Sequence, residues 1–145
     1  MARTAARRIL LDVLDTPISP ELRRPQKGRI TQMSEQVIGP VELADFYLYP
    51  FVRYGARPGK ILFLANEARK RGLFEVTYNY NELYKWLKSF IERFFANQFK
   101  RTCIPEGPKI GSVSLSPRGD WRMPSDASSA LWLEDLEAMH LKLRD

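Results

Sequence analysis

Asn79-Tyr80-Asn81-Glu82-Leu83-Tyr84-Lys85-Trp86-Leu87-Lys88-Ser89-Phe90-Ile91-Glu92-Arg93-Phe94-Phe95-Ala96-Asn97-Gln98-Phe99 is the stretch that decides the fold. Leu83, Trp86, Leu87, Phe90, Ile91, Phe94 and Phe95 keep an unbroken three-four spacing, while Lys85, Lys88, Glu92 and Arg93 fall largely on the other side. That is an amphipathic helix with one face in a core. Asn79 with Glu82 three residues on resembles a capping box. The spacing predicts the longest helix of the chain over 80–99, its aromatic stripe a core face rather than a ligand box. Phe99 would carry the stripe to the mouth of the next segment.

That segment, 99–125, is a loop by composition. Pro105, Pro108 and Pro117 remove backbone donors, and Gly107, Gly111 and Gly119 favour turns. Ile104, Ile110, Val113, Leu115 and Trp121 supply apolar anchors that a disordered tail lacks. Lys109 to Leu115 is the one candidate strand. A loop this long in a compact domain is usually functional when it is ordered. Lys100, Arg101, Lys109, Arg118 and Arg122 make it cationic, and Asp120 sits between two of the arginines. An Arg-Gly-Asp-Trp-Arg turn can gather an anion-binding fork, a hydrogen-bond acceptor and a flat apolar surface. It can equally be a buried Arg–Asp pair that stitches the loop to the helices.

Further helices are expected over about 2–15, 40–54, 58–71 and 126–142. The first shows Ala5, Ile9 and Val13 on one side and no N-cap, and Thr16-Pro17 stops it. The second begins at Pro40 and ends at Gly55, with Pro50 inside as an expected kink or break. The third begins at Pro58, buries Ile61, Leu62, Leu64, Ala65 and Ala68, and ends at Gly72 behind Arg69-Lys70-Arg71. The last is capped by Ser125-Asp126 and presents Leu131, Trp132, Leu136 and Met139. The expected fold class is mainly α, in one domain.

The 145 residues are 44% hydrophobic, enough for a core, and carry a net charge of +6 that favours anionic partners. One cysteine excludes an internal disulfide and suits a reducing, cytoplasmic setting. No apolar run approaches the ~18 residues of a membrane span. Neither G-x-x-x-x-G-K-[ST] nor G-x-G-x-x-G after a strand is present. Cys103 and His140 are each single, so no Cys/His metal site is expected; Cys103 reads as a small buried side chain.

Three runs carry a resemblance: Gln98-Phe99-Lys100-Arg101, Pro105-x-Gly107-Pro108-Lys109, and Leu115-Ser116-Pro117-Arg118-Gly119-Asp120-Trp121-Arg122-x-Pro124-Ser125-Asp126. Together they resemble the final part of the bacterial glutamine-dependent NAD+ synthetases. Leu14-Asp15-Thr16-Pro17-Ile18-Ser19-Pro20-Glu21-Leu22, Gly39-Pro40, Asp45-Phe46 and Arg53-Tyr54-Gly55 extend the likeness over nearly the whole chain. The resemblance implies the C-terminal helical portion of an α/β, Rossmann-like synthetase domain of the adenine nucleotide alpha hydrolase type. Such enzymes use a glutaminase domain to release ammonia. A synthetase domain adenylates deamido-NAD with ATP and Mg2+, and ammonia then yields NAD+.

This chain carries neither the family's Ser-Gly-Gly phosphate loop nor its glutaminase triad. It therefore reads as the last third or less of a synthetase, its first Met a new start inside a helix, inactive by itself. It would bind no ATP or Mg2+ alone, and would act with the missing synthetase and glutaminase portions in a homo-oligomer. The resemblance places Lys100, Arg118, Asp120, Trp121 and Arg122 at deamido-NAD. Ser19 falls near a hydroxyl residue that approaches ATP in shorter relatives. Glu35 falls where those relatives have Thr-Asp-Glu, here Met33-Ser34-Glu35, and no metal ligand is assigned. The alternative reading is a stand-alone basic module for nucleic acid or an acidic protein, with aromatics beside cations for stacking.

Overall fold

The structure, a computed structural model, describes residues 2–14 and 38–144, with side chains from residue 6 onward. Ser19, Glu35 and the expected stop at Thr16-Pro17 lie outside the described residues. The chain divides into two units, Met1–Gly39 and Pro40–Asp145. In the first, α1 runs Ala2–Leu14, with Ile9, Leu10 and Val13 exposed on it.

The regular elements of the second unit are all helices: α2 (Val41–Tyr54), α3 (Pro58–Lys70), α4 (Tyr80–Ala96), the short α5 (Gln98–Thr102) and α6 (Ala130–Arg144). No strand occurs among the described residues, and Lys109–Leu115 is a run of bends and irregular backbone. A lone extended segment between prolines has no neighbouring strand to satisfy its backbone.

Helix α4 is the axis of the core. Asn79 accepts the Glu82 N–H at 2.9 Å and Glu82 Oε2 accepts the Asn79 N–H at 2.7 Å, which closes the capping box. Leu83, Leu87, Ile91, Phe94 and Phe95 are buried against Leu43, Tyr47 and Phe51 of α2, Ile61, Leu62 and Ala65 of α3, and Leu136 of α6. Each such large apolar side chain contributes roughly 1.5–3 kcal/mol relative to exposure. Trp86 and Phe90 flank this core half-buried. The helix stops at Ala96, short of the expected 99, because Asn97 turns its side-chain amide back on Arg93 O at 2.9 Å. The stripe ends there, and Phe99 is 54% exposed.

Pro50 does not split α2. The chain stays helical past it, with Tyr47 and Phe51 buried on either side and Tyr47 Oη donating to Leu83 O at 3.0 Å. Gly55, at φ 61°, and Ala56 return their N–H groups to Phe51 O and Pro50 O, a left-handed close that glycine adopts without strain. On α3, Leu64 faces outward rather than into the core, while Pro58, Gly59 and Asn66 are buried. Helix α6 starts at Ala130, not 126. Ser128 Oγ accepts the Ala130 N–H at 3.2 Å, and the Ser-Asp-Ala-Ser-Ser run before it favours turns over helix. Its buried contacts are Leu136 and His140, with Leu131 and Trp132 exposed.

Candidate functional site

Residues 103–129 connect α5 to α6 without regular structure, and three inner contacts hold them. Leu115, Trp121 and Met123 pack against the core. The Trp121 ring lies 5.3 Å from Phe94 and 5.8 Å from Phe51, centroid to centroid. Buried Gln98 donates to Met123 O at 2.8 Å and accepts from Arg101 Nε at 2.8 Å. Arg101 also donates to Phe94 O at 2.5 Å and lies over the Phe94 ring, so it ends α4 rather than serving the loop surface. Two expected anchors fail: Ile104 is exposed and Ile110 is 96% exposed. Cys103 is exposed as well, contrary to the small buried side chain expected.

The outer part of the loop folds on itself. Asp120 Oδ2 pairs with Lys109 Nζ at 2.8 Å and accepts the Ser114 N–H at 2.8 Å. The Lys109 ammonium, then the Ser114 amide, hold the Asp120 carboxyl below the usual carboxylate range. Its partner is thus Lys109, neither Arg118 nor Arg122. Arg118 Nη1 instead donates to Ile104 O at 3.2 Å and closes the base of the loop. Ser116 O accepts the N–H groups of Gly119 and Trp121, which makes the tight turn between the two.

The expected site residues divide between two clefts. Arg118 and Asp120 line a cleft of about 580 Å³ inside the loop, with Glu106, Lys109, Ser114 and Ser116. Trp121 and Arg122 line a second, of about 600 Å³, with Phe51, Phe95, Trp132 and the Arg57–Asp135 pair. Its apolar walls suit a flat ring, and Arg122, the arginine not paired with Asp135, an anion. Trp121 Nε1 is buried with no acceptor among the described residues. Lys100 lines neither cleft. It is exposed on α5, its Nζ 6.0 Å from the centre of the Phe99 ring. Among the described residues no group of three or more His, Cys, Asp or Glu could hold a metal ion. No helix among them is long and apolar enough to cross a membrane.

The glutamine-dependent NAD(+) synthetases of Mycobacterium tuberculosis and Mycobacterium bovis are each 43% identical to this chain over 143 residues, 89% of the chain. That of Mycobacterium leprae is 41% identical over 143 residues. The chain is similar to the glutamine-dependent NAD(+) synthetases. It spans 21% of the length of these relatives. No protein-family model matches it. The run Ser116–Arg122 lines both clefts and forms the turn between them.

Sequence reasoning missed Lys109 as the partner of Asp120, although it had noted the Pro-x-Gly-Pro-Lys run. It also missed a cluster at the far end of α4. His140 is buried and stacks on Tyr84 at 3.8 Å, with Tyr80 Oη 3.0 Å from its Nδ1. Tyr84 Oη donates to Glu137. No motif marks this group; Tyr80 and Tyr84 are one helical turn apart, which is the only trace in the sequence.

Proposed function

We propose that the chain is the C-terminal portion of a glutamine-dependent NAD+ synthetase and contributes contacts for deamido-NAD during its ATP-dependent amidation to NAD+. The observation that carries this reading is the 43% identity over 89% of the chain to synthetases of that name. In the whole enzyme this helical unit would sit beside the α/β, Rossmann-like part of the synthetase domain, within a homo-oligomer.

The two clefts fit the two chemistries of a dinucleotide. Lys109 and Arg118 supply positive charge in the loop cleft, and the aromatic cleft offers faces for a ring. The Lys109 and Ser114 contacts of Asp120 both fall on Oδ2, which leaves Oδ1 to accept a hydrogen bond from ammonia or an amide. Lys100, exposed beside the loop, would reach an anionic group of the substrate from outside the clefts. ATP and Mg2+ are assigned to the portion of the enzyme that carries the Ser-Gly-Gly phosphate loop, a run this chain lacks.

The test is a chimera in which this chain replaces the matching segment of the Mycobacterium tuberculosis relative. NAD+ formation from deamido-NAD, ATP, Mg2+ and glutamine or ammonia is measured. Lys100→Ala and Asp120→Asn are expected to lower kcat/KM at least ~10-fold per folded enzyme. Unchanged per-molecule kinetics with a lowered Tm would make Asp120 a staple and defeat the reading. The isolated chain is expected to make no NAD+ above a no-protein control.

A further inference from the structure

The face between α2 and α3 is apolar and exposed, and it shares no lining residue with either cleft of the loop. Tyr49, Tyr54, Phe63, Leu64 and Leu73 are each 37–70% exposed. They line one groove of about 670 Å³, floored by Phe46, Pro50 and Ala68. Single exposed apolar residues are ordinary on a monomer, but a contiguous group of this kind marks an interaction surface. Its composition fits one, since tyrosines and large apolars dominate the centres of protein interfaces. The groove is also pre-ordered. Tyr49 and Tyr54 meet edge to face at 5.6 Å with their hydroxyls 3.4 Å apart, and the Arg53 guanidinium lies 5.7 Å from the Tyr54 ring centre. A partner would meet side chains that need little further ordering.

The rim is cationic. Arg53 lies beside Tyr54, and Arg71 lines the groove. Glu67 also lines the groove, but its charge is paired with Lys70 at 2.7 Å, which leaves Arg53 and Arg71 in excess. A second copy placed on this face by a two-fold axis would bring the arginine rim against itself. The relatives that match this chain continue for four-fifths of their length beyond the matched part, which spans 21% of them.

We infer that the α2–α3 groove is where this unit docks onto the remaining four-fifths of the synthetase, which meets it with an apolar face flanked by carboxylates. The inference rests on the reading under Proposed function. It adds to that reading the surface that joins the loop clefts to the rest of the enzyme.

Photo-crosslinking of the chimera tests it. Benzoylphenylalanine replaces Leu64 or Tyr54, the sample is irradiated, and adducts are mapped by mass spectrometry. Adducts from both positions to peptides outside the segment this chain replaces are the expected result. Adducts to that same segment in another copy would assign the groove to self-association and overturn the inference. Recovery of unattached probe alone would overturn it too. If the chimera does not accumulate, the probes go at the aligned positions of the intact Mycobacterium tuberculosis relative, with the same three outcomes. As a second readout, Leu64→Glu should change the Tm of the isolated chain by no more than a typical surface substitution and lower that of the chimera by several degrees. Equal shifts in both would count against docking. Mapped adducts with Asp120→Asn kinetics unchanged would sink the substrate reading and leave the docking surface standing.

Discussion

Asp135 Oδ2 accepts the backbone N–H of Gly59 at 2.8 Å, while Oδ1 pairs with Arg57 Nη2 at 2.6 Å. One carboxylate from α6 thereby caps the start of α3, whose own N-cap residue, Arg57, offers no side-chain acceptor. Negative charge at a helix N-terminus is favourable, and here it comes from 76 residues away. Gly59 makes the approach possible: a Cβ there would lie 3.0 Å from both Asp135 Oδ2 and Met139 Cβ.

Asp135→Ala is therefore expected to destabilise the chain by about 1 kcal/mol, the usual cost of a lost cap. Gly59→Ala should also destabilise it, although alanine is the better helix former by about 1 kcal/mol. Urea midpoints of the two variants check this. A Gly59→Ala chain more stable than its parent would show that α6 yields and that the close approach carries no weight.

Asp120 is expected to titrate below an ordinary carboxyl because Lys109 and the Ser114 N–H stabilise its anion. A depressed folded-state pKa adds stability above the unfolded value of about 3.9, and this is lost as pH falls through the folded value. Lys109→Met should raise the Asp120 midpoint, read by carboxyl carbon NMR, and flatten that acid limb. A midpoint that moves with Arg118→Ala and ignores Lys109→Met would reverse the pairing described here.

Tyr84 behaves in the opposite sense. Burial, then its hydrogen bond to Glu137, pushes the phenol up to about 12. A raised folded-state pKa stabilises fully below the unfolded value of about 10 and is lost as pH climbs from there through the folded value. Ultraviolet titration should show Tyr84 ionising near 12. The Tyr84→Phe chain should lose stability less steeply across that window. Ionisation of Tyr84 near ~10, the free phenol value, would contradict the geometry.

Gln98→Leu tests the polar floor of the loop. The substitution keeps the volume but strands Met123 O and Arg101 Nε, each bound to Gln98 at 2.8 Å. Unpaired buried groups cost about 1–3 kcal/mol. Amide exchange should quicken around residues 121–124 before the helices loosen. Unaltered exchange there would mean that Leu115 and Trp121 hold the loop unaided.

The candidate site was legible as a list of residues but not as an arrangement. Lys100, Arg118, Asp120, Trp121 and Arg122 stood out through residue type and resemblance. Their division between two clefts, with Lys100 in neither, depends on which carbonyls and rings lie within reach. Ile104 and Ile110 show the same limit. Both are as apolar as Leu115, yet only Leu115 meets the core. In a loop, no periodicity ties an apolar residue to a buried face.

The mainly helical fold was determined by the sequence itself. Three-four spacing from Leu83 to Phe95, a capping box at Asn79 and Glu82, and Gly55 at a left-handed close are local codes, read within one or two helical turns. Tertiary structure alone decided what depends on distant neighbours. Tyr47 tied α2 to Leu83 O of α4, Asp135 capped α3, and Lys109 took Asp120 from the arginines beside it in sequence. The physical reason is range. Helix periodicity and capping act over three or four residues, whereas a buried donor or a charge takes whichever partner the packed fold brings within 3 Å.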